Sequence, residues 1–264
     1  MTFEPWLFTT DTNLARNSVE AGIKGVVIDW EWMNKEARQR EADLECNYGT
    51  LKDLVEVKNA IEAKIICRIN SMGPHTLLEV DSAIKGGADV IFLPMVNSRK
   101  HVDDFLSFID DRAEAGVLIE TVQAVDDANE IAKLPVDYIY VGLNDLALSR
   151  KSKNIFEAVA DGTVENLRTI FKEQKFGFGG ITLVDKGFPI PFDLLLKEMS
   201  RLSCAYGFLR RSFKKDIKNR DMKTEIQKIV DSFRSLNRRS QDEKNKDRQA
   251  LFETVSNVVQ LDKV

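Results

Sequence analysis

The sequence predicts a (β/α)8 TIM barrel with a C-terminal helical extension. Short apolar or β-branched runs recur along the 264 residues, and segments with helical i, i+3, i+4 spacing separate them. Short continuous apolar strands that alternate with helices are typical of parallel strands covered on both faces. Eight such units fit a closed barrel, which commonly forms one domain of about 250 residues. An open doubly wound sheet is the alternative.

The predicted elements follow the apolar runs in chain order. The strands are Trp6–Thr10, Gly25–Asp29, Lys64–Ile69, Asp89–Pro94, Gly116–Glu120, Asp137–Val141, Phe176–Thr182 and Ala205–Arg210. Helical spacing predicts helices over Leu51–Ile61, Val102–Ile109 and Ile155–Glu173. We expect residues 1–215 to form the barrel and residues 216–264 to form helices that pack on it or on a neighbouring subunit, since their apolar stripe would otherwise be exposed.

Composition indicates a soluble cytoplasmic protein. The 38 Lys and Arg residues are balanced by 42 Asp and Glu, for a net charge of −4, which argues against nucleic-acid binding by the whole chain. Cys46, Cys67 and Cys204 are odd in number and show no CxxC spacing, as expected in a reducing compartment. The sequence shows neither a secretory signal nor a long apolar run, so we expect no membrane partner.

Carboxylates follow several predicted strands at the end where barrel active sites lie. Asp29 and Glu31 follow strand 2, Glu120 follows strand 5, and Asp145 follows strand 6. Because these strand ends share one rim, Glu120 and Asp145 can converge on one Mg²⁺ or Mn²⁺ ion, which prefers oxygen ligands. The two histidines of the chain provide no competing His/Cys cluster. A structural salt bridge between Glu120 and Arg68 is the alternative.

Basic residues also follow the strands. Arg68 ends strand 3 and offers a planar fork for a carboxylate or phosphate, although an ion pair with a strand-2 carboxylate explains it equally well. Asn70 is a weaker candidate, since an asparagine that forms a turn fits the position nearly as well. Arg210 and Arg211 follow strand 8, where many barrels bind phosphate; salt bridges to the C-terminal helix are the alternative.

Six segments occur in order over predicted strands 2 to 6. They are IDWEW (28–32), KEAR (35–38), CRIN (67–70), GGADVIFLPMV (86–96), LIETVQAVDDANEIA (118–132) and VGLNDLALS (141–149). Together they resemble the HpcH/HpaI aldolase and citrate lyase β-subunit family of metal-dependent TIM barrels. The resemblance covers roughly residues 25–150, and its last two segments are the most specific.

The resemblance implies roles for the residues at the rim. Glu120 and Asp145 would bind the metal, Arg68 would bind the substrate carboxylate and the developing enolate, and Glu31 would hold metal-bound waters. The backbone around Leu93–Met95 would line the substrate pocket. The candidate substrate-binding residues besides Arg68 are Asn70, Pro94, Met95 and Asn144.

The sequence departs from the family at one important position. Pyruvate aldolases of the family carry a histidine of the acid/base machinery directly after the acidic residue of strand 2, and the citrate lyase side carries an aspartate there. This chain has Trp32 at that position, and a tryptophan can replace neither residue. His75, in the turn after strand 3, is the candidate catalytic replacement, and an exposed residue near a helix start is its structural alternative. Glu31 or a metal-bound water could also act as the base.

The leading functional prediction is an Mg²⁺- or Mn²⁺-dependent carbon–carbon lyase of the aldolase type that acts on a small 2-oxo acid such as pyruvate. One alternative is a citrate-lyase-like enzyme that acts on an acyl-CoA thioester, although no nucleotide motif is present. A catalytically degenerate ligand-binding barrel is another, because of Trp32. Family members assemble through C-terminal helices, which implies a homo-oligomer, a trimer or hexamer.

Overall fold

The computed structural model describes residues 2–33 and 49–261. The KEAR segment and Cys46 therefore lie outside the described residues. The described helices and strands alternate along the chain. The strands are β1 (Glu4–Phe8), β2 (Gly25–Asp29), β3 (Lys64–Arg68), β4 (Val90–Leu93), β5 (Glu114–Ile119), β6 (Tyr138–Val141), β7 (Lys175–Phe178) and β8 (Tyr206–Phe208).

The helices, numbered over the described residues, cover the outside of the sheet. They are α1 (Thr12–Glu20), α2 (Leu51–Ala60), α3 (Thr76–Lys85), α4 (Arg99–Ile109), α5 (Val122–Asp126), α6 (Ala128–Ile131), α7 (Leu143–Arg150), α8 (Glu157–Ala160), α9 (Thr163–Ile170), α10 (Phe192–Arg201), α11 (Ser212–Asp216), α12 (Met222–Leu236) and α13 (Gln241–Leu261). None of the described helices is both long and apolar enough to cross a bilayer.

The eight strands form one parallel sheet in the order β7-β6-β5-β4-β3-β2-β1-β8. Its two edges come together, because the Ala205 amide donates to the Phe176 carbonyl at 2.9 Å and Ile181 pairs with Leu209 in a parallel bridge. A Cβ on Gly177 would lie 2.3 Å from the Tyr206 carbonyl oxygen, so this approach requires glycine. The predicted barrel is confirmed.

Three predicted elements differ in extent from those of the structure. The predicted helix Ile155–Glu173 is broken into α8 and α9 by Gly162, whose φ is +87°. The Thr163 amide there bonds to the Asp161 carboxylate at 2.8 Å instead of continuing a helical ladder. The seventh strand ends at Phe178 rather than Thr182, and the first begins two residues earlier than predicted.

Aromatic side chains fill the inside of the barrel. Trp6 and Tyr206 stack with ring centroids 4.4 Å apart, and Tyr140 stacks on Phe208 at 4.1 Å. Barrel interiors are more often filled by Val, Ile and Leu. The apolar outer faces of the strands instead pack against the helices in a second layer. The filled interior leaves the candidate site at one end of the barrel.

A polar cluster closes the N-terminal end. The Lys64 ammonium donates to Glu114 Oε2 at 2.5 Å and to the Tyr138 hydroxyl at 2.7 Å, and the Lys175 ammonium donates to Glu114 Oε1 at 3.0 Å. Desolvation acts to raise the pKa of Glu114, but the hydrogen bonds from both lysines outweigh it and hold the pKa below its ordinary value. Glu114 is therefore ionised and bonded when the protein is folded.

The C-terminal helices pack on the barrel of the same chain. Leu251 and Val255 of α13 are buried, and the Val255 carbonyl accepts from Asn154 Nδ2 at 3.3 Å. Arg248 pairs with Glu165 of α9. Of the two packings expected for these helices, the structure shows the one on the barrel of the same chain.

We predict that Glu114→Gln lowers the free energy of unfolding by about 1–2 kcal/mol at pH 7, allowing for solvent screening of a carboxylate that is 34% exposed. A depressed carboxyl pKa adds stability above the ordinary pKa, and this stability is lost as the pH falls through the folded pKa. The gap between variant and wild type, measured by urea unfolding, should therefore close below about pH 4.

The matched control is Glu130→Gln, which removes an exposed carboxylate paired with Lys133. It should leave the urea midpoint unchanged. A cost for Glu114→Gln that persists undiminished at acid pH would contradict the ion-pair account of the cluster.

Candidate active site

A cavity of about 880 Å³ opens at the C-terminal end of the strands. Arg68, Glu120, Asn144 and Asp145, all selected from the sequence, line this one cavity, and Asp29 lines it with them. They come from β3, from the end of β5, from the first turn of α7 and from β2. The structure therefore brings together the acidic and basic candidates that were selected because they follow predicted strands.

Two carboxylates of β2 and its following loop hold Arg68. Its Nε and Nη2 donate to the two carboxylate oxygens of Asp29 at 2.9 and 2.8 Å, and its Nη1 lies 3.1 Å from Glu31 Oε2. Desolvation acts to lower the pKa of Arg68, but the two carboxylates outweigh it and raise the pKa. A guanidinium has five N–H donors, so two remain for a ligand in the cavity.

Backbone geometry fixes Glu120. The Met95 amide donates to Glu120 Oε1 at 2.8 Å, with Met95 in the left-handed region at φ +52°. On the other side, a Cβ on Gly142 would lie 2.2 Å from Glu120 Oε2, so a larger residue would displace the carboxylate. Within the described residues Glu120 makes no ion pair with Arg68, so the alternative of a Glu120–Arg68 salt bridge was wrong.

Several carboxylates crowd this end of the barrel. Glu31 and Glu120 are buried and Asp145 is half-buried, so Glu120 has two further acidic groups acting on it. Desolvation raises the pKa of Glu120 well above its ordinary value, and the negative charges of Asp145 and Glu31 raise it further. Such a site favours a bound cation.

The donor set fits a hard divalent cation with two protein ligands. In residues 2–33 and 49–261 no three His, Cys, Asp or Glu side chains are grouped as metal ligands. Glu120 and Asp145 line the same cavity and interact electrostatically. Mg²⁺ is commonly held by one or two carboxylates, with water and substrate oxygens completing its octahedron.

The structure does not bring Asn70 to the cavity. Its Oδ1 accepts from the amides of Trp32 and Met33 at 3.0 and 2.9 Å, and its Nδ2 donates to Glu79 Oε1 at 2.6 Å. Asn70 therefore ties the chain after β2 to helix α3.

His75 also lies outside the cavity. It precedes helix α3, and its Nε2 lies 3.0 Å from the Ser71 carbonyl oxygen. Together with Trp32 and Asn70 it borders a separate, smaller depression. This placement gives no support to the expectation that His75 replaces the missing histidine at position 32.

Pro94 and Met95 do not line the cavity either. Met95 still contributes to the site, because its backbone amide positions Glu120. The backbone around Leu93–Met95 was expected to line the substrate pocket. In the structure, the Met95 amide instead positions a carboxylate that lines the cavity.

Sequence reasoning missed several cavity residues. Tyr140 and Phe208 line the cavity from inside the barrel, and Lys186 and Asp216 line it as well. An aromatic residue within a buried strand is indistinguishable by pattern from a core residue. The inward-facing alternation of Tyr138 and Tyr140 in β6 was the available signal. Burial raises the pKa of Tyr140, so its hydroxyl remains protonated.

The HpcH/HpaI aldolase/citrate lyase family model matches residues 5–158, which includes β1 to β6 and the carboxylates after β5 and β6. The chain belongs to this family. Membership supports a lyase and confirms the resemblance drawn from the sequence segments. A comparison with curated proteins gives no match.

Three solved structures, two of them of proteins named HpcH/HpaI, share the fold. An HpcH/HpaI aldolase from Desulfitobacterium hafniense is 15% identical, with a TM-score of 0.60, over 84% of this chain and 92% of that chain. A family protein from Burkholderia cenocepacia is 14% identical, with a TM-score of 0.59, over 89% and 94%. The citrate synthase SbnG is 15% identical, with a TM-score of 0.61, over 86% and 94%. At these identities the likeness establishes the fold.

We predict that two substitutions that break the Arg68–Asp29 pair lower the free energy of unfolding by different amounts. Arg68→Met leaves buried carboxylates without their counter-charge, which should lower the free energy of unfolding by about 3–5 kcal/mol in the absence of divalent cations. Asp29→Asn removes one partner of the guanidinium's charge but keeps an acceptor oxygen, and Glu31 still lies beside Arg68, so it should cost about 1–2 kcal/mol.

Urea unfolding in the presence of a metal chelator, at pH 7.5 and at pH 5, measures the free energy of unfolding of both variants. Without the guanidinium the folded-state pKa of the nearby carboxyls rises, so the Arg68→Met protein should regain stability as the pH falls. Equal losses of stability for the two variants, or a loss that grows towards pH 5, would contradict the role of Arg68 as the counter-charge of Asp29 and Glu31.

Proposed function

We propose that the chain is a divalent-metal-dependent carbon–carbon lyase of the aldolase type, which cleaves or forms a bond next to a small 2-oxo acid such as pyruvate. The observation that carries the proposal is the placement of Glu120 and Asp145 in the same cavity as Arg68. Family membership supports the reaction class. The citrate synthase SbnG and the aldolase from D. hafniense, which share the fold, both bear names of enzymes that act on carbon–carbon bonds.

Glu120 and Asp145 would hold Mg²⁺ or Mn²⁺ in this proposal. The bound ion would supply a Lewis acid for the carboxylate and keto oxygens of the substrate. Desolvation and the charges of Asp145 and Glu31 raise the pKa of Glu120, which supports the assignment, since a bound cation would offset both effects.

Arg68 would stabilise negative charge on the substrate. Its two remaining N–H donors would bond to the substrate carboxylate or to the oxygen on which charge develops as the carbon–carbon bond breaks. Asp29 and Glu31 hold the guanidinium before substrate arrives, so no reorganisation is needed during the reaction. Removing a preorganised donor of this kind typically lowers the rate about 10²–10³-fold.

Glu31 is proposed as a positioning residue rather than as the base. It is 1% exposed, contacts Arg68 and is not part of the cavity lining. No histidine lies among the described residues that line the cavity, so His75 has no part in the proposal. The side chain of Trp32 borders the other depression.

We predict that wild-type protein with Mn²⁺ exchanges the methyl protons of pyruvate for deuterium in D₂O, followed by proton NMR. Glu120→Gln and Asp145→Asn should each weaken Mn²⁺ binding at least tenfold, measured by calorimetry, and lower the exchange rate by about 10²-fold or more. Asp231→Asn, which removes an exposed carboxylate on α12, should change neither.

The same experiment distinguishes the alternatives. Mn²⁺ binding at Glu120 and Asp145 without any exchange would favour a ligand-binding barrel that has lost catalysis. Exchange on acetyl-CoA but not on pyruvate would favour a citrate-lyase-like enzyme. Mn²⁺ binding that neither substitution weakens would contradict the proposed metal site.

Assembly into a homo-oligomer, a trimer or hexamer, stays a prediction. Multi-angle light scattering of the purified chain measures it directly, and a monomeric mass at micromolar concentration would contradict it.

A further inference from the structure

Three tyrosines of the described residues lie inside the barrel, and one of them, Tyr140, lines the cavity. The Tyr138 hydroxyl belongs to the polar cluster at the N-terminal end, where it accepts from Lys64 and Lys175 at 2.7 and 2.8 Å. The Tyr206 hydroxyl is buried without a hydrogen-bond partner among the described residues, and Tyr206 does not line the cavity. Tyr140 is therefore the tyrosine of this aromatic layer that faces a ligand in the cavity.

The Tyr140 hydroxyl lies at the C-terminal end of the barrel. Its ring stacks on Phe208, another cavity residue, with centroids 4.1 Å apart and planes inclined by 29°. The hydroxyl oxygen lies 3.6 Å from the position that a Cβ on Gly179 would take, and Gly179 follows β7 and lines the cavity. Stacking thus holds the ring, and the backbone beside the hydroxyl has no side chain to cover it.

The contacts of the hydroxyl leave its proton available. A backbone hydrogen bond from Phe208 acts to lower the pKa of Tyr140, as a donor to the hydroxyl oxygen does, but desolvation outweighs it and raises the pKa. The hydroxyl is therefore neutral, and its oxygen is the acceptor of that bond. Between residues that the structure describes, no hydrogen bond is donated by this hydroxyl. Its O–H can be donated to a ligand.

The proposed reaction places negative charge on a second oxygen besides that of the enolate. In condensation, the enolate carbon bonds to a carbonyl carbon, and the π electron pair of that carbonyl moves onto its oxygen. In cleavage the same oxygen carries charge as its proton leaves and the carbon–carbon bond breaks. A fixed donor directed at such an oxygen stabilises the transition state.

We propose that the Tyr140 hydroxyl donates a hydrogen bond to the oxygen of the electrophile, an aldehyde or ketone, and is a catalytic residue of the carbon–carbon bond step. The proposal rests on the proposed function, which places the 2-oxo acid at Glu120, Asp145 and Arg68. The charges of Arg68 and Glu120 act on the Tyr140 hydroxyl, so it lies near that position.

Tyr140 keeps its own proton throughout the step. A proton from solvent water completes the product hydroxyl in condensation, and water takes that proton back in cleavage. Burial opposes the phenolate, so the side chain acts as a donor and not as a base. Formation of the enolate from pyruvate involves no electrophile and should not need Tyr140.

Two rates measured with Mn²⁺ separate this role from enolate formation. Exchange of the pyruvate methyl protons in D₂O requires the enolate alone. Condensation of pyruvate with acetaldehyde or propanal, followed by proton NMR of the 4-hydroxy-2-oxo acid formed, also requires the electrophile oxygen. Tyr140→Phe keeps the stacked ring, so it should lower kcat/KM for condensation about 10²-fold while exchange stays within about twofold of wild type.

Tyr206→Phe is the matched control, since it removes a tyrosine hydroxyl of the same aromatic layer that does not line the cavity, and it should change neither rate. Gly179→Ala is an independent variant. Its Cβ would contact the Tyr140 hydroxyl at 3.6 Å, an ordinary van der Waals distance, and would occupy space beside the hydroxyl. It should raise KM for the aldehyde and leave exchange unchanged. Thermal unfolding of each variant verifies the fold.

Equal loss of exchange and condensation in Tyr140→Phe would overturn the proposal, because it would indicate a structural role for the ring. An undiminished condensation rate in that variant would overturn it as well. So would wild-type protein that exchanges pyruvate protons and condenses with neither aldehyde.

Failure of this proposal and failure of the proposed function give different results. Pyruvate exchange with a condensation rate that does not depend on Tyr140 keeps the lyase and removes Tyr140 from the reaction. Wild-type protein that shows neither exchange nor condensation contradicts the proposed reaction on pyruvate, and with it the role of Tyr140 in that reaction.

Discussion

The crowding of carboxylates around the buried Glu120 is the constraint on which the candidate site depends. Asp29 and Glu31 hold Arg68, whose charge only partly offsets the rise in the pKa of Glu120 that desolvation and the neighbouring carboxylates cause. Burying a carboxylate beside like charges is costly, and a protein retains such an arrangement where a ligand or a reaction uses it. The left-handed Met95 and the close approach at Gly142 show that the backbone is built to keep Glu120 in this place.

The barrel determines at which end of the molecule a ligand can reach these carboxylates. Stacked aromatic side chains fill the interior, and Lys64, Glu114 and Lys175 close the N-terminal end with their own charges paired. At the C-terminal end the cavity opens, and there Glu120 lies near further carboxylates while Arg68 is held by Asp29 and Glu31.

The sequence was sufficient to predict the barrel and the residues at its rim because both follow from local patterns. Apolar runs give the strands, and parallel strands bring Arg68, Glu120 and Asp145 to one end. The sequence was insufficient where tertiary contacts determine the position of a side chain. The hydrogen bonds of Asn70 to Trp32 and Met33 direct the chain after β3 away from the cavity and carry His75 with it. The partners of Arg68 likewise depend on packing between distant segments.

Anomalous X-ray diffraction from crystals soaked with Mn²⁺ tests the central claim most directly. A single manganese peak within coordination distance of carboxylate oxygens from both Glu120 and Asp145, at roughly 2.0–2.2 Å, is the predicted result. The peak should vanish in Glu120→Gln crystals while the Arg68–Asp29 pair stays in place. A peak elsewhere on the barrel, or none at millimolar Mn²⁺, would contradict the account.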